Sequence, residues 1–185
     1  MKSVTERVYL TDFILACFAY CLFVGSDSIV KYLGSDYSIV QIIFVNSWFA
    51  LIPIVLYTQT LNGWRKLKKA NFTVHFFRAL TMALALFFGY TGFYRLPMVT
   101  MYSIVFLIPL MITIGSVFFL GEVVRWKRFT AILIGFIGAI ISINPFGTEY
   151  DNYIFLALFC PIFASASYLI AVSYTHLTLP TIPQV

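Results

Sequence analysis

Val74–Leu120 reads VHFFRALTMALALFFGYTGFYRLPMVTMYSIVFLIPLMITIGSVFFL, two long apolar runs parted only by Arg95-Leu96-Pro97. A helix that crosses a bilayer needs about 20 apolar residues at about 1.5 Å each. Val74–Tyr94 and Met98–Leu120 both meet that length, and so short a link permits only a tight antiparallel hairpin. Outward from this hairpin the pattern repeats. Leu10–Leu33 is closed by Gly34-Ser35-Asp36, and Ile39–Leu61 by Asn62-Gly63. A fifth stretch runs roughly over Trp126–Asn144, ended by Asn144-Pro145-Phe146-Gly147, and a sixth begins near Tyr153. The expected fold is an all-α membrane protein, a polytopic helical bundle.

Composition agrees. The chain is 61% hydrophobic and 10% charged, with mean hydropathy +0.93, where soluble domains carry about 25% charged residues. Lipid is therefore the expected solvent, and the 20 Phe and 12 Tyr suit lipid-facing and interfacial positions. A net charge of +5 elsewhere hints at nucleic acid. Here the basic residues sit in short loops, so they read as topology signals and no nucleic-acid partner is expected. Cys17, Cys21 and Cys160 all lie within apolar stretches and read as small packing residues. The first apolar run is longer than a signal-peptide core, contains Asp27, and lacks an A-x-A-like site, so it reads as a retained span.

Orientation follows from the Lys and Arg count. With the N-terminus inside, nine inner residues (Lys2, Arg7, Arg65, Lys66, Lys68, Lys69, Arg125, Lys127, Arg128) stand against two outer ones, Lys31 and Arg95. The outer loops carry Asp36, Glu149 and Asp151 instead. A cytoplasmic N-terminus is expected. Pro53, Pro109 and Pro161 fall inside spans, where they either shape a helix or hinge it around a cavity. The pairs Gly89/Gly92 and Gly135/Gly138 have the spacing of close helix contacts.

Ionisable groups at membrane depth cost about 2.5–3.5 kcal/mol each on insertion scales, so they face a cavity or a partner. Asp27 and Lys31 are four apart and share a helix face. Asp27 either lines a substrate cavity or forms a structural pair with Lys31, and Lys31 alternatively snorkels to the interface. Arg78 and Glu122 lie at the inner ends of neighbouring spans and are expected to form a structural ion pair that clasps the hairpin, lone snorkelling being the alternative. Arg95 is either a solvated turn residue or an attractor of anions. Asn46 needs amide partners within its span, and Tyr90, Tyr94 and Tyr102 either anchor at the interface or line a pocket. The substrate-pathway candidates are Asp27, Lys31, Asn46, Tyr90 and Tyr102.

No P-loop, histidine cluster or G-x-S-x-G is present. No catalytic residue, metal or cofactor is expected. The end of the chain departs from the pattern: Val172–Thr181 (VSYTHLTLPT) interrupts the sixth stretch with polar residues and proline. Those residues also match the in-frame translation of a transposon-type sequencing adaptor. Residues 172–185 are therefore expected to be a non-native tail, with the natural chain represented only to about Ala171.

The stretch Arg78 to Pro145 resembles the EamA-type drug/metabolite transporter superfamily. The resemblance rests on Arg78, Phe93-Tyr94-Arg95-Leu96-Pro97, Ile108-Pro109-Leu110, Leu120-Gly121-Glu122, Gly135-Phe136-Ile137-Gly138 and Asn144-Pro145, in order. Asp27-Ser28-Ile29-Val30-Lys31-Tyr32-Leu33 looks like the D-A-x-x-K-Y-L of the branch often labelled metabolite or S-adenosylmethionine transporters. One departure is in the second span, where this family often has an arginine after the position of Gln41 and this chain has Asn46.

The resemblance implies a ten-helix secondary carrier built of two five-helix repeats. Five being odd, the second repeat is inverted, which places a substrate site near the midplane between the halves. Residues 1–145 would be the first repeat, and 146–171 the outer loop and start of helix 6 of a truncated second repeat. The expected function is non-ATP transport of a small metabolite by alternating access. Its partners would be the bilayer of a bacterial inner membrane and the missing C-terminal half of the same protein. The rivals are a non-transporting membrane scaffold or assembly subunit, and an intramembrane enzyme, for which Asp27 alone provides no catalytic pair.

Overall fold

The computed structural model describes residues 2–60, 71–121, 126–143 and 152–178. The described residues form α1 (Lys2–Leu33), α2 (Ile39–Thr60), α3 (Phe72–Arg95), α4 (Met98–Val105), α5 (Leu107–Leu120), α6 (Trp126–Ile143), α7 (Tyr153–Ala157) and α8 (Phe159–Thr178), with no strand among them. Among the described residues five segments are long and apolar enough to cross a membrane: Thr11–Leu33, Ile39–Gln59, Phe72–Arg95, Met98–Leu120 and Tyr153–Tyr174. The fifth stretch read from sequence forms α6, but its apolar part is the shorter Phe129–Ile141, because Trp126-Lys127-Arg128 occupies the first turn.

Two spans are interrupted, and proline supplies the reason. A proline ring clashes with the carbonyl four residues earlier and lacks the N–H that carbonyl would accept. Pro109 acts on Val105, the last residue of α4, and Pro161 acts on Ala157, the last residue of α7. The chain turns at Phe106 and at Leu158 and then resumes. Pro53 lies inside α2, which runs on without a break.

Local signals set the other ends. The Asn71 side chain accepts from the Thr73 N–H at 3.2 Å and caps α3. At its other end the Leu96 N–H donates to the Gly92 carbonyl at 2.8 Å, and Pro97 starts the next helix. α5 ends at Gly121, whose φ of +66° is a left-handed cap that glycine adopts without strain.

α3 is the central element, packed against α8, α1, α7 and α2, while α5 lies on α8 and α4 on α6. One core sits where α3 turns into α4, with Phe93, Leu96, Met101 and Ile104 meeting Ile154, Ala157 and Cys160. A second joins Val30, Ile42 and Tyr90 from α1, α2 and α3. Close approach depends on missing Cβ atoms. A Cβ at Gly92 would run into the Met101 sulfur and lie 3.1 Å from the Ala157 Cβ; one at Gly89 would lie 3.2 Å from the Cys160 sulfur. The expected close contact at Gly135 and Gly138 does not form: a Cβ at either would meet nothing within 4 Å, because this face of α6 borders a cavity.

Outside these cores the spans are apolar and uncovered. Phe18 is 61% exposed, Phe49 68% and Phe118 80%. Such surfaces are stable against hydrocarbon and not against water. The chain is an integral, multi-pass membrane protein.

α8 runs as helix through Thr178, past Ala171 and into the polar stretch at 172–178. The Tyr174 ring packs edge-on against His75 at 5.2 Å, and its hydroxyl accepts from the Asn71 N–H at 3.4 Å.

Candidate functional site

Asp27 sits half-buried on α1, one face of which presents Ala19, Tyr20, Phe23, Val24 and Asp27 at helical spacing. Across from it, little more than a turn into α4, the Tyr102 hydroxyl donates to Asp27 Oδ2 at 2.9 Å. Tyr102 is steadied by Phe93 of α3, edge-on at 5.2 Å and 68°. Its ring comes from the α4 side of the hairpin and Phe93 from the α3 side, so the turn at Leu96-Pro97 brings the two together.

This pair borders a cavity of about 1170 Å³ between α1, the α4–α5 break, α6 and α8. Tyr20, Phe23, Phe106 and Tyr168 supply aromatic walls, and the bare backbone of Gly135 and Gly138 supplies width. Phe106, the residue at which α4 gives way to α5, lines the cavity, so the proline break helps shape it. Among the described lining residues Asp27 carries the only charge.

The structure separates the other candidates. Lys31 does not use Asp27 as its partner. Its ammonium donates to the carbonyl oxygens of Leu96 at 2.7 Å and Phe93 at 3.3 Å, at the C-terminal end of α3, where a cation complements the helix dipole. Asn46 Nδ2 donates to the Tyr90 hydroxyl at 2.9 Å, joining α2 to α3. Asn46 also lines a smaller apolar groove of about 430 Å³ between α1 and α2, away from Asp27. Of the five pathway candidates, the structure thus brings Asp27 and Tyr102 into one cavity, places Asn46 with Tyr90, and ties Lys31 to backbone.

Arg78 lines a pocket of about 300 Å³ with His75 and Ser167, and its carbonyl accepts from the Ser167 hydroxyl at 3.2 Å. Its expected partner Glu122 lies outside the described residues, as do Glu149, Asp151 and the loop holding Arg65, Lys66, Lys68 and Lys69. Arg95 stacks over the rings of Tyr94 at 4.7 Å and Tyr153 at 4.9 Å, a cation–π arrangement that uses its charge locally. No group of three or more His, Cys, Asp or Glu suited to a metal occurs among the described residues.

Tyr20, Phe23, Phe106 and Tyr168 are the aromatic lining residues that sequence reasoning missed. The available signal was the spacing Tyr20, Phe23, Asp27, which puts rings on the acidic face of α1.

Membrane-crossing helices around an aromatic cavity, with one carboxylate among its described lining residues, are the architecture of an integral membrane protein. The chain belongs to the EamA-like transporter family, whose sequence pattern matches residues 11–144, and the family is one of transporters rather than enzymes. It is 33% identical over 134 residues to an S-adenosylmethionine uptake transporter of Rickettsia bellii, covering 69% of this chain and 43% of that protein. The same identity and coverage hold for the S-adenosylmethionine uptake transporter of Rickettsia conorii. A riboflavin transporter of Vibrio cholerae is 27% identical over 128 residues, covering 68% of this chain and 43% of that protein. The chain thus matches less than half the length of these curated relatives. No solved structure matches it.

Proposed function

We propose that the chain contributes one half of a secondary transporter that moves a small metabolite by alternating access, with the Asp27–Tyr102 cavity as part of the pathway. The observation that carries this reading is a carboxylate held at 2.9 Å by a tyrosine in a mostly apolar, aromatic cavity. An intramembrane charge is costly unless it serves a pathway or a partner. The relatives' printed substrates, S-adenosylmethionine and riboflavin, are both ring-bearing metabolites of a size the cavity accommodates.

Residues 1–145 are read as the first repeat, 146–171 as the start of an inverted second one, and 172–185 as an adaptor-derived tail. The charge count supports a cytoplasmic N-terminus, and bacterial relatives support an inner-membrane location. The driving force is an ion gradient or exchange. Recovering the genomic sequence downstream tests the repeat assignment: a second five-helix repeat supports the carrier, and an early stop favours a membrane scaffold. Flux of labelled metabolites into proteoliposomes holding the full-length protein tests the function, with Asp27→Asn expected to abolish it. Unchanged flux in that variant removes Asp27 from the pathway.

A further inference from the structure

The described walls of the cavity include one carboxylate, five aromatic rings (Tyr20, Phe23, Tyr102, Phe106, Tyr168), and no Lys, Arg or His. The nearest cation along α1, Lys31, is committed to the Leu96 and Phe93 carbonyls. Tyr102 offers Asp27 a neutral hydrogen bond, and no cationic side chain stands among the described lining residues to compensate a negative charge there.

We infer that the Asp27 cavity selects organic cations bearing a flat ring, over neutral or anionic solutes of the same size. The inference rests on the transport reading above and adds the charge class of the solute. Three physical effects point the same way. A cation recovers the Coulomb energy that Asp27 forgoes, and in a low-dielectric cavity that energy exceeds its value in water. Aromatic faces attract cations through their quadrupoles and take flat rings by stacking. An anion would meet unscreened repulsion, and a neutral solute would leave the carboxylate with Tyr102 alone. The volume, about 1170 Å³, slightly exceeds the roughly 300–1,000 Å³ of ordinary ligand sites, so size selection is weak and charge selection decides.

The experiment measures equilibrium binding to the full-length protein in nanodiscs, using two pairs of probes. The first pair is 1-methylnicotinamide and nicotinamide, which differ by the methyl group that makes the ring cationic. The second is S-adenosylmethionine and riboflavin, the relatives' own solutes. The expected result is that both cations bind at least about tenfold tighter than their neutral counterparts, about 1.4 kcal/mol. Asp27→Asn should remove that preference, Asp27→Glu should retain part of it, and Asp36→Asn, in the exposed turn after α1, should leave it intact. Val24→Lys, which brings an ammonium one turn from Asp27 on the cavity side, should abolish cation binding without altering the carboxylate; monodisperse elution of each variant shows that it folds. Neutral probes binding as tightly as cations, or a preference that survives both Asp27→Asn and Val24→Lys, overturns the charge inference while the transport reading stands. If none of the four probes binds and none is carried in the flux assay, both readings fall.

Discussion

Gly92→Ala and Gly138→Ala look alike in the sequence and should have opposite effects. At Gly138 an added methyl meets nothing within 4 Å. The substitution there gains helix propensity, at most about 1 kcal/mol. At Gly92 the methyl overlaps the sulfur of Met101, a side chain with no exposed surface, and presses on the Ala157 Cβ 3.1 Å away. Overpacking of this kind costs about 1–3 kcal/mol, so after the same propensity gain Gly92→Ala should lose about 0–2 kcal/mol. The decisive measurement is a double-mutant cycle with Met101→Ala, followed by SDS titration of the protein in mixed micelles. Met101→Ala alone leaves a hole and should cost about 2–5 kcal/mol. When Gly92→Ala is combined with it, the vacated sulfur site receives the new methyl, so the double variant should be more stable than the sum by about 0.5–3 kcal/mol. Additive effects, or a Gly92→Ala variant at least as stable as Gly138→Ala, would show that α3 does not meet the start of α4 as described.

Lys31→Met removes two hydrogen bonds from an ammonium to carbonyls, each about 1.5–3 kcal/mol when charged, and should lower the SDS midpoint clearly; an unchanged midpoint refutes the anchoring of α1 on α3. Asn46→Leu breaks only the amide–Tyr90 bond and should cost about 0.6 kcal/mol, the average for such bonds in membranes, with flux unaffected; lost flux would put Asn46 back in the pathway. Tyr102→Phe keeps the ring and deletes the donor to Asp27, and should weaken solute flux; unchanged flux would remove this hydrogen bond from the pathway. A single cysteine replacing Lys68 should react with an impermeant thiol reagent only after the cytoplasmic face is opened; labelling of intact cells reverses the orientation.

Much of the architecture was legible because a bilayer imposes length and polarity on any segment that crosses it. The hairpin at Arg95-Leu96-Pro97 and the span limits at Leu33 and Ile39 follow from that constraint alone. The candidate site was legible only in part. Asp27 announces itself as a charge in an apolar run, but its choice of Tyr102 over Lys31 depends on how α1 crosses the hairpin, which pattern does not encode. Lys31 finds main-chain oxygens, partners that carry no signature in any sequence. Phe106 and Tyr168 could not be told from lipid-facing rings, since a bilayer and a ligand cavity reward the same side chains. The two glycine pairs share a spacing, and only the neighbours of α3 and α6 distinguish a contact from an opening. Pro109 and Pro53 likewise share a chemistry, yet only the first interrupts its helix.

The attachment of Lys31 has a mechanical corollary. Over its described side chains α1 buries only Val30, one residue from that attachment, while the stretch from Thr11 to Gly25 is exposed throughout. The helix is pinned near one end and exposed along its shaft, as an oar is held by its rowlock. Ala19 lies about 18 Å from Lys31 along the axis at about 1.5 Å per residue, so a swing of about 10° about the pin carries it sideways by about 3 Å. The same swing would carry Asp27, about 6 Å from the pin, sideways by about 1 Å, so any stroke that opens the chamber beside Ala19 and Tyr20 would also stretch the 2.9 Å bond from Tyr102 to Asp27.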